Sequence, residues 1–221
     1  MNTHLIYATS NPGKVMEMSK HLGSLGVKVE TMQNFDFPEL DVPETGTSLG
    51  ENAVIKVAAY SKALQSRPDL QGKKFLVLSD DTGLEIDVLG GKPGIHVRRW
   101  KGYRMSDEEI VEHALSVMAP FSEEQRGAQF RTVLAVGVVD KGHRDSDPKL
   151  FEGTLRGVVL EAPIGIPIEG FPFERLFYVP EWGIHLGGSH QLPAEEKGKL
   201  LSHRERAVTA AIPFIRKEML L

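Results

Sequence analysis

The stretch Phe75–Leu84 reads FLVLSDDTGL, four apolar residues that run into two adjacent aspartates. Neighbouring carboxylates repel, and each resists losing water, so the pair is either well solvated or offset by positive charge. Asp80 and Asp81 stand at the end of an apolar strand, where open α/β sheets bind ligands. Carboxylate oxygens suit a hard divalent cation such as magnesium, and Glu51 offers a third acid. The plainer alternative is an aspartate-rich turn that caps its own backbone. Adjacent residues of an extended strand point to opposite faces, which gives the two acids separate roles.

Three further stretches place charge where a fold alone does not want it. In TSNPGK, Lys14 falls in the first turn of a helix, at the positive end of its dipole. A cation there costs roughly 0.3–1 kcal/mol. A phosphate bound by the helix start and Lys14 would reverse the sign; an exposed loop lysine is the alternative. The stretch lacks GxxxxGK[ST] and is no P-loop. In GENAVIKVAAY, Asn52 and Lys56 are one helical turn apart and share a face. Lys56 interrupts an apolar run, so it either meets an anion or snorkels to water. In LLSHRERA, His203 and Arg204 open a helix with capping-box spacing, and Lys197 lies just upstream. Arg204 would grip an anion or a carbonyl edge, or pair with acids such as Glu195 and Glu196. Magnesium-assisted chemistry on a phosphorylated small molecule is the simplest common cause of all four.

Several elements must hold these residues. Leu5–Thr9 reads as a strand, and Pro12 suits the first turn of a helix whose stripe is Val15, Met18, Leu22 and Leu25. Val27–Met32 reads as a second strand, and Phe35–Thr45 as an acidic, proline-rich loop. Ser48–Gln65 is helical and apolar around most of its girth, hence buried on most sides. Phe75–Leu78 is a strand covered on both faces, and Leu84, Ile86 and Val88 alternate as a half-exposed one. Ser106 and Glu109 box the start of a helix carrying Ile110, Ala114 and Val117. Ala128–Val139 and Leu150–Glu161 flank the polar loop KGHRDSDP as a hairpin would. Ala162–Ala194 is irregular and long enough to be functional, and Val208, Ala211, Ile212 and Ile215 give a last helix its apolar face. Strands alternating with helices, then a β-rich middle, give an α/β fold with a mixed sheet.

Composition narrows the classes. The 221 residues are 41% hydrophobic and 25% charged, with formal net charge -4 and no Cys. Disulfides and thiolate zinc sites are excluded, which fits a reducing compartment such as the cytoplasm. No apolar run nears the ~20 residues of a membrane span, and the first residues do not read as a signal peptide. A slightly acidic chain argues against an extended nucleic-acid surface, though not against a small anionic ligand.

TSNPGK, GENAVIKVAAYSKA, SDDTGLEIDVLGGKPGIHVRRW and EEKGKLLSHRERA resemble, in that order, motifs of the inosine triphosphate pyrophosphatase family. The likeness runs from the first strand to the last helix. It implies one elongated, two-lobed domain over residues 1–221, a central mixed sheet flanked by helices, an active-site cleft between the lobes, and a homodimer. It implies magnesium-dependent hydrolysis of ITP, dITP or XTP to the monophosphate and pyrophosphate. On the matched positions, Thr9, Ser10, Asn11 and Lys14 would cradle the triphosphate and Lys56 would contact phosphate. Glu51, Asp80 and Asp81 match the metal-binding acids, and Asp81 the acid that orients or deprotonates water. Thr82 and Arg99 would border the substrate, and Lys197, His203 and Arg204 would hold the purine.

One motif departs: where the family has Gly-Phe-Gly-Tyr/Trp-Asp-Pro against the base, residues 170–175 read GFPFER. Phe171 and Phe173 keep aromatic faces, Glu174 replaces Asp, Pro172 removes a backbone N–H, and Gly198 stands where Asn is frequent. Two alternatives follow: the same reaction with altered base specificity, or a protein that binds nucleotide without cleaving it.

Overall fold

The computed structural model describes residues 3–24, 26–38, 40–140 and 147–221. Leu25 of the predicted stripe, Glu39 of the acidic loop and residues 141–146 of the predicted polar loop lie outside them. The described strands are β1 (Thr3–Tyr7), β2 (Val29–Glu30), β3 (Lys74–Ile86), β4 (Lys92–Gly94), β5 (Gly127–Val139), β6 (Lys149–Val159), β7 (Phe177–Val179) and β8 (Ile184–His185). The helices are α1 (Pro12–Gly23), α2 (Leu49–Gln65), α3 (Asp107–Met118), α4 (Ala194–Lys197) and α5 (His203–Met219). The strands form one mixed sheet in the order β2-β1-β3-β5-β6-β7-β8, with β4 paired to β3. This is the expected α/β class, a mixed sheet flanked by helices. Among the described residues no helix is long and apolar enough to cross a membrane.

The chain divides into two compact units. The first comprises Met1–Asp81, Thr132–Gly153 and Arg204–Leu221, the second Thr82–Arg131 and Thr154–His203. In the first unit β1 runs parallel to both neighbours, Leu5 opposite Val29 and Thr3 to Tyr7 opposite Lys74 to Leu78. The chain leaves β1 on one side through α1 and returns past it through α2 to β3. Such a reversal opens a crevice at the carboxyl end of the central strand.

Strand alternation distributes the core. Leu5, Tyr7, Leu76 and Leu78 pack with Met18 and Leu22 of α1 and Val208, Ala211 and Ile215 of α5. Ile6, Ala8, Phe75 and Val77 pack with Ala53, Val57, Tyr60 and Leu64 of α2. The sheet is therefore sandwiched, α1 and α5 on one face and α2 on the other. Each buried Leu, Val or Ile stabilises by about 1.5–3 kcal/mol, more than the helix propensity of any ordinary residue, so packing decides where the helices lie. Gly137 of β5 lets α2 approach closely, since a Cβ there would stand 2.5 Å from Val57 Cγ1.

Two strand expectations change. The predicted strand Val27–Met32 shrinks to Val29–Glu30, because Thr31 and Asn34 close a capping box and the backbone turns into a 3₁₀ turn at Met32–Phe35. The aspartates do not end their strand: β3 continues to Ile86, while Val88 lies in the following turn. Pairing with β1 stops at Leu78, and Leu84 to Ile86 then pair antiparallel with β4. Pairing with β4 and with the neighbouring β5 carries the strand past Asp80 and Asp81.

The second unit has its own core, including Leu84, Ile86, Ile110, Ala114, Met118, Phe130, Phe173 and Phe177. Ser106 and Glu109 form the expected capping box on α3. β5 and β6 are neighbours in the sheet, and β7 pairs antiparallel with both β6 and β8.

Candidate active site

Alternation along β3 sends Asp80 to the face covered by α1 and α5, and Asp81 to the face covered by α2. Asp80 is 2% exposed. Its Oδ1 accepts from the Tyr7 hydroxyl, and its Oδ2 from Lys14 Nζ at 2.9 Å and Arg204 Nε at 3.2 Å. Burial alone would raise this carboxyl, but Lys14, Arg204 and Lys56 outweigh it and hold Asp80 well below the usual carboxylate range. Arg204 reaches onward to Glu17 Oε2 at 2.5 Å. Asp80 and Glu17 are thus among its partners, and burial leaves 5% of its side chain accessible. Asp80 is the hub of a charge network that orders Lys14 and Arg204.

Asp81 has different company. Asn52 Nδ2 donates to its Oδ2 at 3.0 Å, and Lys56 Nζ lies 3.8 Å from its Oδ1. The one-turn spacing of Asn52 and Lys56 brings both to one carboxylate. Lys56 does not snorkel: its side chain is 14% exposed, and its ammonium donates to the Asp80 carbonyl at 2.9 Å and meets Glu44 Oε1 at 2.7 Å. Burial raises the Asp81 carboxyl above its ordinary value; Lys56 and Asn52 pull it back, and Glu44 adds to the rise. Asp81 is therefore the more basic of the two aspartates.

Glu51 is turned elsewhere. Its exposed carboxylate accepts from Thr47 N at 2.6 Å and Thr47 Oγ1 at 2.8 Å, while Ser48 caps α2 by accepting from Glu51 N. The Thr47 bonds lower the Glu51 carboxyl. Among the described residues no group of three or more His, Asp or Glu is arranged to hold a metal ion.

At the start of α1, Thr9 Oγ1 accepts from Asn11 N at 3.2 Å, and Asn11 Oδ1 caps the helix by accepting from Gly13 N and Lys14 N. Val15 N bonds Asn11 O, and Pro12 has no N–H. The N–H groups of Asn11, Gly13 and Lys14 in the expected cradle are thus bonded within the chain. What this helix start presents is its dipole, the exposed Ser10 and the Lys14 ammonium. Burial lowers the Lys14 ammonium against the pull of Asp80.

The remaining predicted residues belong to the second unit. Thr82 is half-buried on β3, and Arg99 is exposed at the end of a short turn. Phe173 is 2% exposed, its ring 6.5 Å from Trp100 and 6.3 Å from Phe130. It is a core residue, unlike the open stacking face expected of it. His203 stacks on the same Phe130 at 4.8 Å and 20°. Glu174 Oε2 lies 2.9 Å from His190 Nε2. Half-buried Phe171 leads into the turn Pro172–Arg175, and Lys197 Nζ donates to Leu200 O at 3.0 Å.

Three residues of the network escape a reading of motifs, and a fourth, Asn52, is placed beside Lys56 but without its partner. Glu17 had a signal, standing three residues after Lys14 on the same helical face. Tyr7 reaches Asp80 only through the β1–β3 register, and Glu44 reaches Lys56 from a loop with no periodicity.

Comparison with known proteins identifies the family. The model of the Ham1 family matches residues 5–214. A dITP/XTP pyrophosphatase of Geobacillus kaustophilus is 36% identical over 206 residues, 93% of this chain and 90% of that protein. One of Thermus thermophilus is 37% identical over 209 residues, 94% and 89% of the two chains. A solved HAM1 protein from Coxiella burnetii superposes with TM-score 0.75 at 27% identity, covering 98% of this chain and all of that one. The Staphylococcus aureus Ham1 structure gives 0.72 at 30%, covering 97% and 99%. Four ordered motifs, a shared fold and matches over nearly the full length lead to one conclusion: this chain belongs to the Ham1 family.

Proposed function

We propose that this protein is a magnesium-dependent nucleoside triphosphate pyrophosphatase that acts on non-canonical purine nucleotides, ITP, dITP and XTP. The observation that carries the reading is the division of labour on β3: one aspartate fully neutralised by cations, and its neighbour half-buried with a raised pKa. A base works best when its pKa lies toward the operating pH, and burial moves Asp81 in that direction. Asp81 would take a proton from water as the water oxygen attacks the α-phosphorus. The bond from that phosphorus to the bridging oxygen breaks, and pyrophosphate leaves. Lys14 and Lys56 would balance charge on the phosphates. Asp80 would act through them, holding Lys14 by its carboxylate and Lys56 by its carbonyl.

The acids that would hold magnesium are Asp81 and Glu44. Both bear on Lys56, and Glu44 raises the Asp81 carboxyl, a like-charge strain that a divalent cation relieves. Two carboxylates suit magnesium, which completes its shell with waters and substrate phosphates. When bound it would supply charge neutralisation for the leaving pyrophosphate. Glu44→Gln should therefore raise the magnesium concentration that gives half-maximal turnover, whereas Glu51→Gln should leave it in place. A titration in which Glu51→Gln moves and Glu44→Gln does not would reverse the assignment.

A second reading keeps the reaction and changes the bases accepted. Phe173 is buried in the core and Glu174 lies against His190, and the GFPFER segment departs from the family motif in sequence. Comparing kcat/KM for ITP, dITP and XTP with the four common ribonucleotides decides between them. Preference for the first three supports the leading reading, and equal or better use of a common nucleotide supports the second. Saturable binding with no product from any nucleotide would leave only a binding protein. The family's dimer and a cytoplasmic location accompany this reading as expectations; light scattering of the purified protein tests the first.

A further inference from the structure

Asn52 is 3% exposed on the first turn of α2 and carries neither charge nor nucleophile. Its amide is spent on two bonds: Oδ1 accepts from Gly46 N at 2.8 Å, and Nδ2 donates to Asp81 Oδ2 at 3.0 Å. A backbone N–H on one side and a carboxylate on the other fix the orientation of the amide, oxygen to the loop and nitrogen to the acid. Gly46 lies two residues after Glu44, and Glu44 closes back on Lys56, which sits one helical turn after Asn52 and faces the other Asp81 oxygen. The contacts make a ring: Glu44 loop, Gly46, Asn52, Asp81, Lys56, Glu44. Gly46 is fitted to it, because a Cβ there would stand 2.7 Å from Asn52 Oδ1 and 2.7 Å from Glu51 Cβ.

We propose that Asn52 is a positioning residue for the reaction: it pins one oxygen of Asp81, leaves the other toward Lys56, and locks the Glu44 loop to that carboxylate. The inference rests on the reading of Asp81 as the water-activating acid. An amide serves both ends, its oxygen accepting from a backbone N–H and its nitrogen donating to a carboxylate. Aspartate has the shape but no proton to donate, and leucine has neither bond.

The test uses Asn52→Leu, Asn52→Asp and Gly46→Ala, the last displacing Asn52 from the far side. With ITP and magnesium, kcat should fall about 100-fold, the penalty typical of a misplaced reacting group, with KM little changed. In Asn52→Leu combined with Asp81→Asn, turnover should be no lower than in Asp81→Asn alone, because Asn52 acts through Asp81. A merely structural asparagine would multiply the two losses. Independently of turnover, Mn²⁺ without nucleotide should raise the melting temperature of the wild type and not that of Asn52→Leu. Wild-type kcat in Asn52→Asp, a rise in KM without loss of kcat, multiplicative effects in the double variant, or an Mn²⁺ response no smaller in Asn52→Leu than in the wild type would each overturn the assignment. A wild type that binds Mn²⁺ but releases no pyrophosphate would instead refute the functional reading, and the Mn²⁺ comparison would still decide the Asn52 ring. If Asn52→Leu does not fold, Asn52→Asp and Gly46→Ala carry the kinetic test.

Discussion

Asp81→Asn is expected to lower kcat by about 10²–10⁴-fold, the range that a positioned general base supplies, while nucleotide affinity measured without magnesium stays close to wild type. The substitution is nearly isosteric, and its amide oxygen can still accept from Asn52, so the loop, the helix and Lys56 keep their places. What is lost is the capacity to take a proton, together with one of the two carboxylates assigned to magnesium. Affinity should survive because the groups assigned to the phosphates, Lys14 and Lys56, are untouched. Lys14 is held by Asp80 on the opposite face of β3, and Lys56 keeps Glu44 and the Asp80 carbonyl. Nucleotide affinity measured by calorimetry, beside initial rates, separates the two effects. A variant that turns over at the wild-type rate would remove Asp81 from the chemistry.

Asp80→Asn should fail in another way, by loss of stability. Removing this buried carboxylate leaves Lys14 and Arg204 facing each other without their shared anion, and Lys56 close by. Taking one partner from a buried ion pair costs about 3–5 kcal/mol. For a chain of this length that lowers the melting temperature by roughly 6–20 °C. The pH dependence has a definite sign. The folded Asp80 carboxyl is held well below its unfolded value, so the folded state favours the ionised form. Its contribution is complete above about pH 4, the ordinary aspartate range, and is lost as pH falls toward the depressed folded value. The gap in melting temperature between wild type and variant should be constant from pH 5 to pH 8 and narrow below about pH 4. A variant as stable as wild type at neutral pH would mean that Lys14 and Arg204 find other anions.

The contrast between these neighbours is legible in the amino-acid sequence alone. The period of a strand sends adjacent side chains apart, and FLVLSDDTGL is apolar enough to be a strand. Helix α2 is legible too, from its Ser48 start and apolar girth, and with it the shared face of Asn52 and Lys56. What the pattern lacks is the partners, because these come from pairings distant in sequence. Tyr7 meets Asp80 through strand register, and Glu44 meets Lys56 from a loop that obeys no period. Glu51 looks like a ligand because it is an acid in a resembling motif, yet in the fold its carboxylate accepts from Thr47 at the start of α2. Phe173 is the opposite case: an aromatic in a resembling motif says nothing about burial, and the tertiary core claims it. The extent of β3 is hidden for the same reason, since its partners β4 and β5 are met later in the chain.

The most direct measurement is a single-turnover reaction of the purified protein with ITP and magnesium, quenched and resolved into its products. Hydrolysis at the α-phosphorus yields IMP and pyrophosphate in equal amounts, with no IDP and no orthophosphate. IDP with orthophosphate would place the attack at the terminal phosphorus, and no product from bound ITP would deny the protein an activity on this nucleotide; either result contradicts the proposed function.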